Sequence, residues 1–312
     1  MDTSQIQVLR SPEFLSHSEA CNQAALNANG EYLLLLRSDV AVIESDWLDA
    51  LMNHGQRPEV GVVGARTVNA EGRVTHAGLI LGLEGPAAGV FLGEPLDATG
   101  YMQRLQVDLN MSAVADSCLL VRKSLFIDVG GLDAREFAEQ GADVDLCLRI
   151  SDTGHLVVWT PRATLLHGVE KKAMPVATED ALYAKWLPRL ARDPAYNSNF
   201  SLSKPGGFKL ADPQISWRPL NVFRPVPVVL AHPADETGCG QYRIIQPFNA
   251  LRSAGLIDGA LSRGLMHVTD LERYAPDVVV LQRQISSERL EAMRRMRAFS
   301  GAFKVYELDD YL

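Results

Sequence analysis

The stretch that decides how the first half of the chain folds reads Tyr32-Leu-Leu-Leu-Leu-Arg-Ser-Asp39, an apolar run that stops at a polar tip. The run follows Gly30 and is too short to span a membrane, so it predicts a buried strand. In open α/β sheets, ligands gather beyond the carboxyl ends of the strands. Asp39 is therefore a candidate for a residue that meets a metal ion or a phosphate.

Helices and short strands alternate around this stretch and predict an α/β sheet. The segment 70–100 is rich in Gly and Pro and predicts loops and a hairpin. Pro161 is expected to close a strand over 156–159, and a separate segment 163–166 leads into His167. The other predicted elements are strands over 32–36, 61–64 and 117–121 and helices over 18–29, 45–55, 124–129, 141–154 and 171–195.

The length and net charge of the chain limit the number of domains and the kinds of partner that are expected. At 312 residues, the chain is about twice the usual size of a domain, so two domains are expected. The formal net charge of -8 argues against a nucleic-acid partner, because such surfaces cluster Lys and Arg. The oligomeric state is left open.

The cysteines and the apolar windows bear on the compartment. The four cysteines lie far apart without a C-x-x-C pair, which disfavours a disulfide framework and a zinc site and fits a reducing cytoplasm. No window has the length of a signal peptide core or of a membrane span. Any membrane contact is therefore expected to be peripheral, at the inner face.

The predicted domains are residues 1–196 and 226–312, joined by a linker over 197–225 that is rich in Pro and Gly. Strands over 228–231, 277–281 and 304–307 and helices over 242–254 and 287–299 predict a βαβαβ unit, the beginning of a Rossmann-like sheet. Three strands bury little surface, so this unit is expected to be cut short. The glycine turn Thr237-Gly-Cys-Gly240 fits either a loop that meets a phosphate or sugar, or a tight turn.

Three polar residues stand where chemistry could occur, and each also has a simple structural explanation. Asp39 follows a strand and fits a turn or cap. Asp143 starts a helix, where a carboxylate bonds backbone N–H groups. His167 follows an apolar run and fits a packed or surface residue. Asp145 is two residues from Asp143 on the same helix, so at most one of these two carboxylates is expected to face a common site.

Taken in order, the segments resemble the inverting family 2 glycosyltransferases of the GT-A fold, particularly bacterial enzymes of O-antigen and rhamnan assembly. The resemblance covers about residues 6–170. It is carried by the segments 18–22, 30–40, 47–48, 72–78, 118–126, 129–133, 143–149 and 161–167. It implies a GT-A-like mixed sheet with flanking helices.

The resemblance also implies roles for single residues. The D-x-D motif of the family falls on residues 37–39, so Asp39 would bind a divalent cation, Mg²⁺ or Mn²⁺, on the diphosphate of a nucleotide-sugar donor. His167 would complete the metal site, and Asp143 would be the general base of an inverting transfer. Asn22 would lie near the nucleotide, and Arg37 would lie at the diphosphate. The implied acceptor is a saccharide or lipid-linked saccharide in cell-surface polysaccharide synthesis.

Three departures from the family pattern leave alternatives open. Arg37 replaces the first residue of D-x-D, and a guanidinium cannot bind a cation, although it can pair with phosphate oxygens. Ala142 precedes the base where an acid is frequent. The family's N-terminal nucleotide-binding half is expected to be missing before Met1.

The second unit resembles the N-terminal part of a GT-B glycosyltransferase. A non-catalytic remnant or interaction module of a larger glycosyltransferase is therefore the alternative function. A metal-dependent hydrolase or phosphotransferase built on Asp39 and His167 is a third hypothesis.

Overall fold

The computed structural model describes residues 6–168, 173–213 and 224–308. The chain divides by packing into a first unit, Met1–Ile80 with Ala87–Leu182, and a second unit, Leu81–Pro86 with Tyr183–Leu312. This division places residues 183–196 with the second unit, whereas the sequence predicted domain limits at 1–196 and 226–312. Part of the predicted linker, 214–223, and the start of the predicted helix at 171–172 lie outside the described residues.

The first unit combines helices and short strands. Its helices are α1 (His17–Asn27), α2 (Trp47–Gly55), α3 (Lys123–Asp128) and α4 (Ala142–Asp152), and α5 (Val176–Ala191) continues into the second unit. Its strands are β1 (Tyr32–Leu36), β2 (Ala41–Val42), β3 (Val60–Val68), β4 (Val74–His76), β5 (Leu79–Leu81), β6 (Ala87–Gly89), β7 (Leu109–Met111), β8 (Cys118–Arg122) and β9 (Leu156–Leu166).

A mixed sheet organises this unit in the order β1-β8-β3-β9-β2, with β4 paired to β3 and β7 paired to β9. β8 is antiparallel to both β1 and β3, and β3 is parallel to β9. The carboxyl ends of β1, β3 and β9 therefore meet at one edge of the sheet, together with the amino end of β8. This mixed sheet with flanking helices confirms the predicted α/β class.

Burial explains why β3 lies at the centre. All nine of its residues are buried, and its apolar side chains pack in a core with α2, β8 and β9. Gly64 is needed within it, because a Cβ there would lie 2.5 Å from the side chain of Val114. The N-terminus of α1 is fixed by a capping box, in which Ser16 and Glu19 each bond the other's backbone.

The prediction that Pro161 ends a strand is wrong. β9 runs through it from Leu156 to Leu166, but the register with β3 shifts between Ala65, which pairs with Thr160, and Arg66, which pairs with Thr164. Residues 161–163 therefore fall out of the ladder. Because this irregularity needs no backbone N–H from Pro161, the strand accommodates the proline and continues to His167.

The second unit contains a parallel sheet in the order β11-β10-β12-β13. Its strands are β10 (Val228–His232), β11 (Asp258–Leu261), β12 (Val278–Gln282) and β13 (Phe303–Glu307). Its helical segments are Gly238–Gly240, a π-helical stretch Gln241–Ile245, Gln246–Ser253, Val268–Tyr274 and Ser287–Phe299. The prediction missed β11 and the helix Val268–Tyr274. The assignment to a GT-B type stays a prediction.

Among the residues described in both units, no helix has the length and apolar character needed to cross a membrane.

Candidate active site

The predicted residues Arg37 and His167 are brought to the same edge of the sheet by strand register. Arg37 follows β1, and its backbone N–H donates to the carbonyl of Ser117 (3.2 Å), just before β8. His167 follows β9, and its backbone N–H donates to the carbonyl of Val68 at the end of β3 (2.8 Å). Segments far apart in the sequence thus become neighbours at this edge.

Asp39 lies between the side chains of Arg37 and His167. The Arg37 guanidinium donates from Nε to Asp39 Oδ1 and from Nη2 to Oδ2, both at 3.2 Å. This pair lowers the pKa of the Asp39 carboxyl below its ordinary value. His167 Nε2 lies 3.4 Å from Asp39 Oδ1. It is buried and makes no hydrogen bond within the described part of the chain, so it is a polar atom in need of a partner.

The structure adds two residues that the sequence reasoning missed, His17 and Asp116. His17 Nε2 lies 3.3 Å from Asp116 Oδ2 and 3.8 Å from Cys21 Sγ. The hydrogen bond with Asp116 is the main cause that raises the pKa of His17 to about 10, so the imidazole is charged at neutral pH. The pKa of Arg37 is also raised, chiefly by Asp39 and further by Asp116, which places this carboxylate in the same charged cluster.

Asp143, the predicted base, is the second residue of α4. The helix begins after Gly141, whose φ of 86° is in the left-handed region that favours glycine. The carboxylate is half-buried, and its Oδ1 accepts the backbone N–H of Val144 at 2.8 Å. Asp143 thus stands in the first turn of a helix, where the helix dipole favours the ionised carboxylate.

Asp145, the other acid of this helix, is turned into the protein. It is fully buried and accepts a 2.7 Å bond from Arg149 Nε. The remaining N–H groups of Arg149 donate to the carbonyls of Val129 and Gly131 at 2.6 and 2.7 Å. This pair therefore anchors α4 to the turn that follows α3.

Asn22 uses its amide to hold the same turn. Its Nδ2 donates to the carbonyl of Leu132, and its Oδ1 accepts the N–H of Leu132, both at 2.8 Å. The contacts above join Arg37, Asp39 and His167, whereas Asn22 has this backbone partner of its own. Its expected contact with a nucleotide stays a prediction.

Residues 2–130 match the family described as Glycosyl transferase family 2. This range includes His17, Arg37, Asp39 and Asp116 but not His167. Residues 2–130 of the chain are therefore similar to this family. This match confirms the predicted resemblance at the level of the family. The match also supports the predicted enzyme class, a glycosyltransferase, for residues 2–130.

Three relatives illustrate the similarity of this chain to other proteins. An uncharacterized protein, y4gI, of Sinorhizobium fredii is 36% identical over 67% of the chain and 24% of its own length. The O-antigen biosynthesis protein RfbC of Myxococcus xanthus is 35% identical over 58% of the chain and 15% of its own length. The N-acetylglucosaminyl-diphospho-decaprenol L-rhamnosyltransferase of Mycobacterium tuberculosis is 35% identical over 38% of the chain and 41% of its own length. The chain thus spans less than half of each relative.

Among solved structures, the chain is similar to a mannosyltransferase of Pyrobaculum calidifontis in complex with GDP-Man and Mn²⁺. The two are 16% identical over 59% of this chain and 43% of the other, with a TM-score of 0.37.

Proposed function

We propose that the first unit transfers a sugar, with inversion at the anomeric carbon, from a nucleotide-sugar donor to a saccharide or lipid-linked saccharide acceptor. Cell-surface polysaccharide assembly is the proposed context, because two relatives are named for O-antigen biosynthesis and for rhamnosyl transfer. One observation carries the proposal: Asp39 and the unpartnered Nε2 of His167 lie together at the carboxyl edge of the family 2 sheet.

Asp39 and His167 fit a divalent cation that is shared with a diphosphate. Adjacent ligands of an octahedral ion with bonds of about 2.1 Å lie roughly 3 Å apart, close to the 3.4 Å between Asp39 Oδ1 and His167 Nε2. Among the described residues, no group of three His, Cys, Asp or Glu side chains could hold a metal. Diphosphate oxygens and water would fill the other positions, as is usual for Mg²⁺. The bound ion would stabilise the charge of the leaving diphosphate.

Arg37 holds the Asp39 carboxylate in place, and its guanidinium is suited to oxygens of a diphosphate as well. Asp143 has the role of general base, which takes the proton of the acceptor hydroxyl as its oxygen attacks the anomeric carbon. The fixed helical turn around Gly141 and the Asp145–Arg149 anchor set the position of this carboxylate.

The substitution Asp143→Asn tests the proposal. It should lower the rate of sugar transfer by roughly 10²- to 10⁴-fold, the usual contribution of general base catalysis, while donor binding is retained. The assay measures glycosylated product from UDP-, dTDP- and GDP-sugars with Mn²⁺ or Mg²⁺, and calorimetry measures donor binding. Asp128→Asn, at an exposed position on α3, is the matched control. Equal product from the Asp143 and Asp128 variants would rule out this role.

The bidentate Arg37–Asp39 pair favours a second candidate function, a non-catalytic module of a larger glycosyltransferase. Arg37 occupies both carboxylate oxygens that a metal would need. This reading predicts a folded chain that binds none of these donors in the presence of Mn²⁺. Product formation that depends on Asp143 would exclude it.

A further inference from the structure

A cavity lies in the second unit, at the carboxyl ends of its parallel strands. It has a volume of about 360 Å³, within the range of small-molecule sites. Its walls come from the segment after β10, the segment after β11 and the π-helical stretch Gln241–Ile245.

The position of the cavity is where a parallel sheet binds ligands. The chain passes from β10 to β11 on one side and then to β12 on the other, so β10 lies at the point where the strand order reverses. Ligands of open α/β sheets bind outside the carboxyl ends of strands at such a point. The π-helical stretch adds to this, because π-helical turns are rare and frequent at functional sites.

The strands hold the walls of the cavity in place through buried polar side chains. His232, at the end of β10, is fully buried, and its Nδ1 donates to the carbonyl of Ser262 at 2.9 Å. Burial lowers the pKa of His232 to about 4, so the imidazole is neutral. Gln282, at the end of β12, is fully buried and accepts the N–H of Ala234 at 3.0 Å. The two loops are therefore fixed before any ligand arrives.

The start of the helical segment is fixed as well. Asp235 Oδ1 accepts the backbone N–H groups of Thr237 and Gly240 at 3.0 and 3.2 Å. A Cβ on Gly240 would lie 1.9 Å from the carbonyl oxygen of Asp235, so only glycine allows this close approach. The glycine turn of the sequence thus shapes the wall of the cavity.

The chemistry of the lining indicates the class of ligand. Glu236 and Arg263 form an exposed ion pair of 2.5 Å at the cavity, so the charges of these two side chains cancel. Gln241 supplies an amide, which donates and accepts hydrogen bonds, and Ser262 supplies a hydroxyl that donates to the carbonyl of Gly264 at 2.8 Å and can accept a hydrogen bond from a ligand. Ile245 and Leu261 supply apolar surface. A saccharide ring carries hydroxyl groups and apolar C–H bonds, which match these polar and apolar side chains. A phosphate would be repelled by the Glu236 carboxylate.

We propose that this cavity is a second ligand site of the chain, which takes a neutral saccharide through the Glu236–Arg263 pair, Gln241 and Ser262. The site belongs to the second unit and does not depend on the transfer reaction proposed for the first.

Methyl NMR on the full chain tests this site, because Ile245 and Leu261 place methyl groups in the cavity. The probes are the methyl glycosides of D-glucose, D-mannose and L-rhamnose, each titrated to about 50 mM to cover millimolar dissociation constants. At least one glycoside should shift both methyl signals in a saturable way. Inorganic phosphate at the same concentration should not.

Substitutions at the rim complete the test. Glu236→Ala and Arg263→Ala, at exposed positions, should each raise the dissociation constant about tenfold, a typical effect of losing a hydrogen bond to a charged group. The exposed control Glu288→Gln and the first-unit variant Asp39→Asn should leave it unchanged. No shift with any glycoside, shifts with phosphate alone, or loss of binding in Asp39→Asn would overturn the proposal.

Discussion

Replacing Arg37 by Asn should strengthen the binding of Mn²⁺ at Asp39. An ion that binds Asp39 must first break the Arg37–Asp39 pair. The two side chains are 40% and 32% exposed, so breaking the pair costs about 0.2–1 kcal/mol, a cost that the variant avoids. A divalent ion on Asp39 would lie roughly 5 Å from the guanidinium, and their repulsion in a water-like dielectric is about 1.7 kcal/mol. Together these effects amount to about 2 kcal/mol, so the dissociation constant for Mn²⁺ should fall about thirtyfold.

The measurement is a titration of the chain with MnCl₂, in which electron paramagnetic resonance reports the free ion. The double variant Arg37→Asn with Asp39→Asn is the control, because it lacks the carboxylate that would hold the ion. An equal dissociation constant in the wild type and in Arg37→Asn would refute the reasoning. So would a gain of the same size in the double variant, since the added affinity would then not pass through Asp39.

Two further predictions concern stability. Arg149→Ala should lower the free energy of unfolding by about 3–5 kcal/mol in urea titrations, because it removes the guanidinium that pairs with the buried carboxylate of Asp145. The exposed control Arg135→Ala should change this free energy little. Because the fold raises the pKa of His17 from 6.5 to about 10, protonated His17 stabilises the folded state. This contribution is fully present below pH 6.5 and is lost as the pH rises through about 10. The wild type should therefore lose about 1 kcal/mol more than His17→Gln between pH 7 and 10, allowing for a side chain that is 34% exposed to solvent. Parallel pH profiles would contradict this.

The strands with continuous apolar runs could be predicted from the sequence. Strands whose residues are determined by contacts with adjacent strands were missed. The run 32–36 is observed as β1, because burial alone selects it. The strand Asp258–Leu261 reads as a loop, since it contains Gly259. That glycine is required because a Cβ there would lie 1.9 Å from the carbonyl oxygen of Val229 on the adjacent strand. Local propensity cannot report such a contact.

The same limit applies to the site. Asp39 and Arg37 are two residues apart, so their pairing is local, and a strand end was enough to find the carboxylate. The approach of His17 to Asp116 joins residues 99 positions apart and depends on the amino end of β8 reaching the carboxyl edge of the sheet. The register of the antiparallel pair β1–β8 carries Asp116 to this edge, and a hydrogen bond from the Ser18 N–H to the Ala138 carbonyl (3.0 Å) holds the start of α1.

The side-chain charges at the carboxyl edge of the first unit's sheet indicate that the proposed donor site lacks a counter-charge for the diphosphate. Arg37 and His17 are cations, and Asp39 and Asp116 are carboxylates, so these four side chains sum to zero. A donor diphosphate would bring about two negative charges into a site whose described cations are already paired with acids. A divalent ion at Asp39 and His167 would restore the balance. Arg37 therefore tunes the affinity for such an ion and does not take its place, which is why its removal should strengthen metal binding.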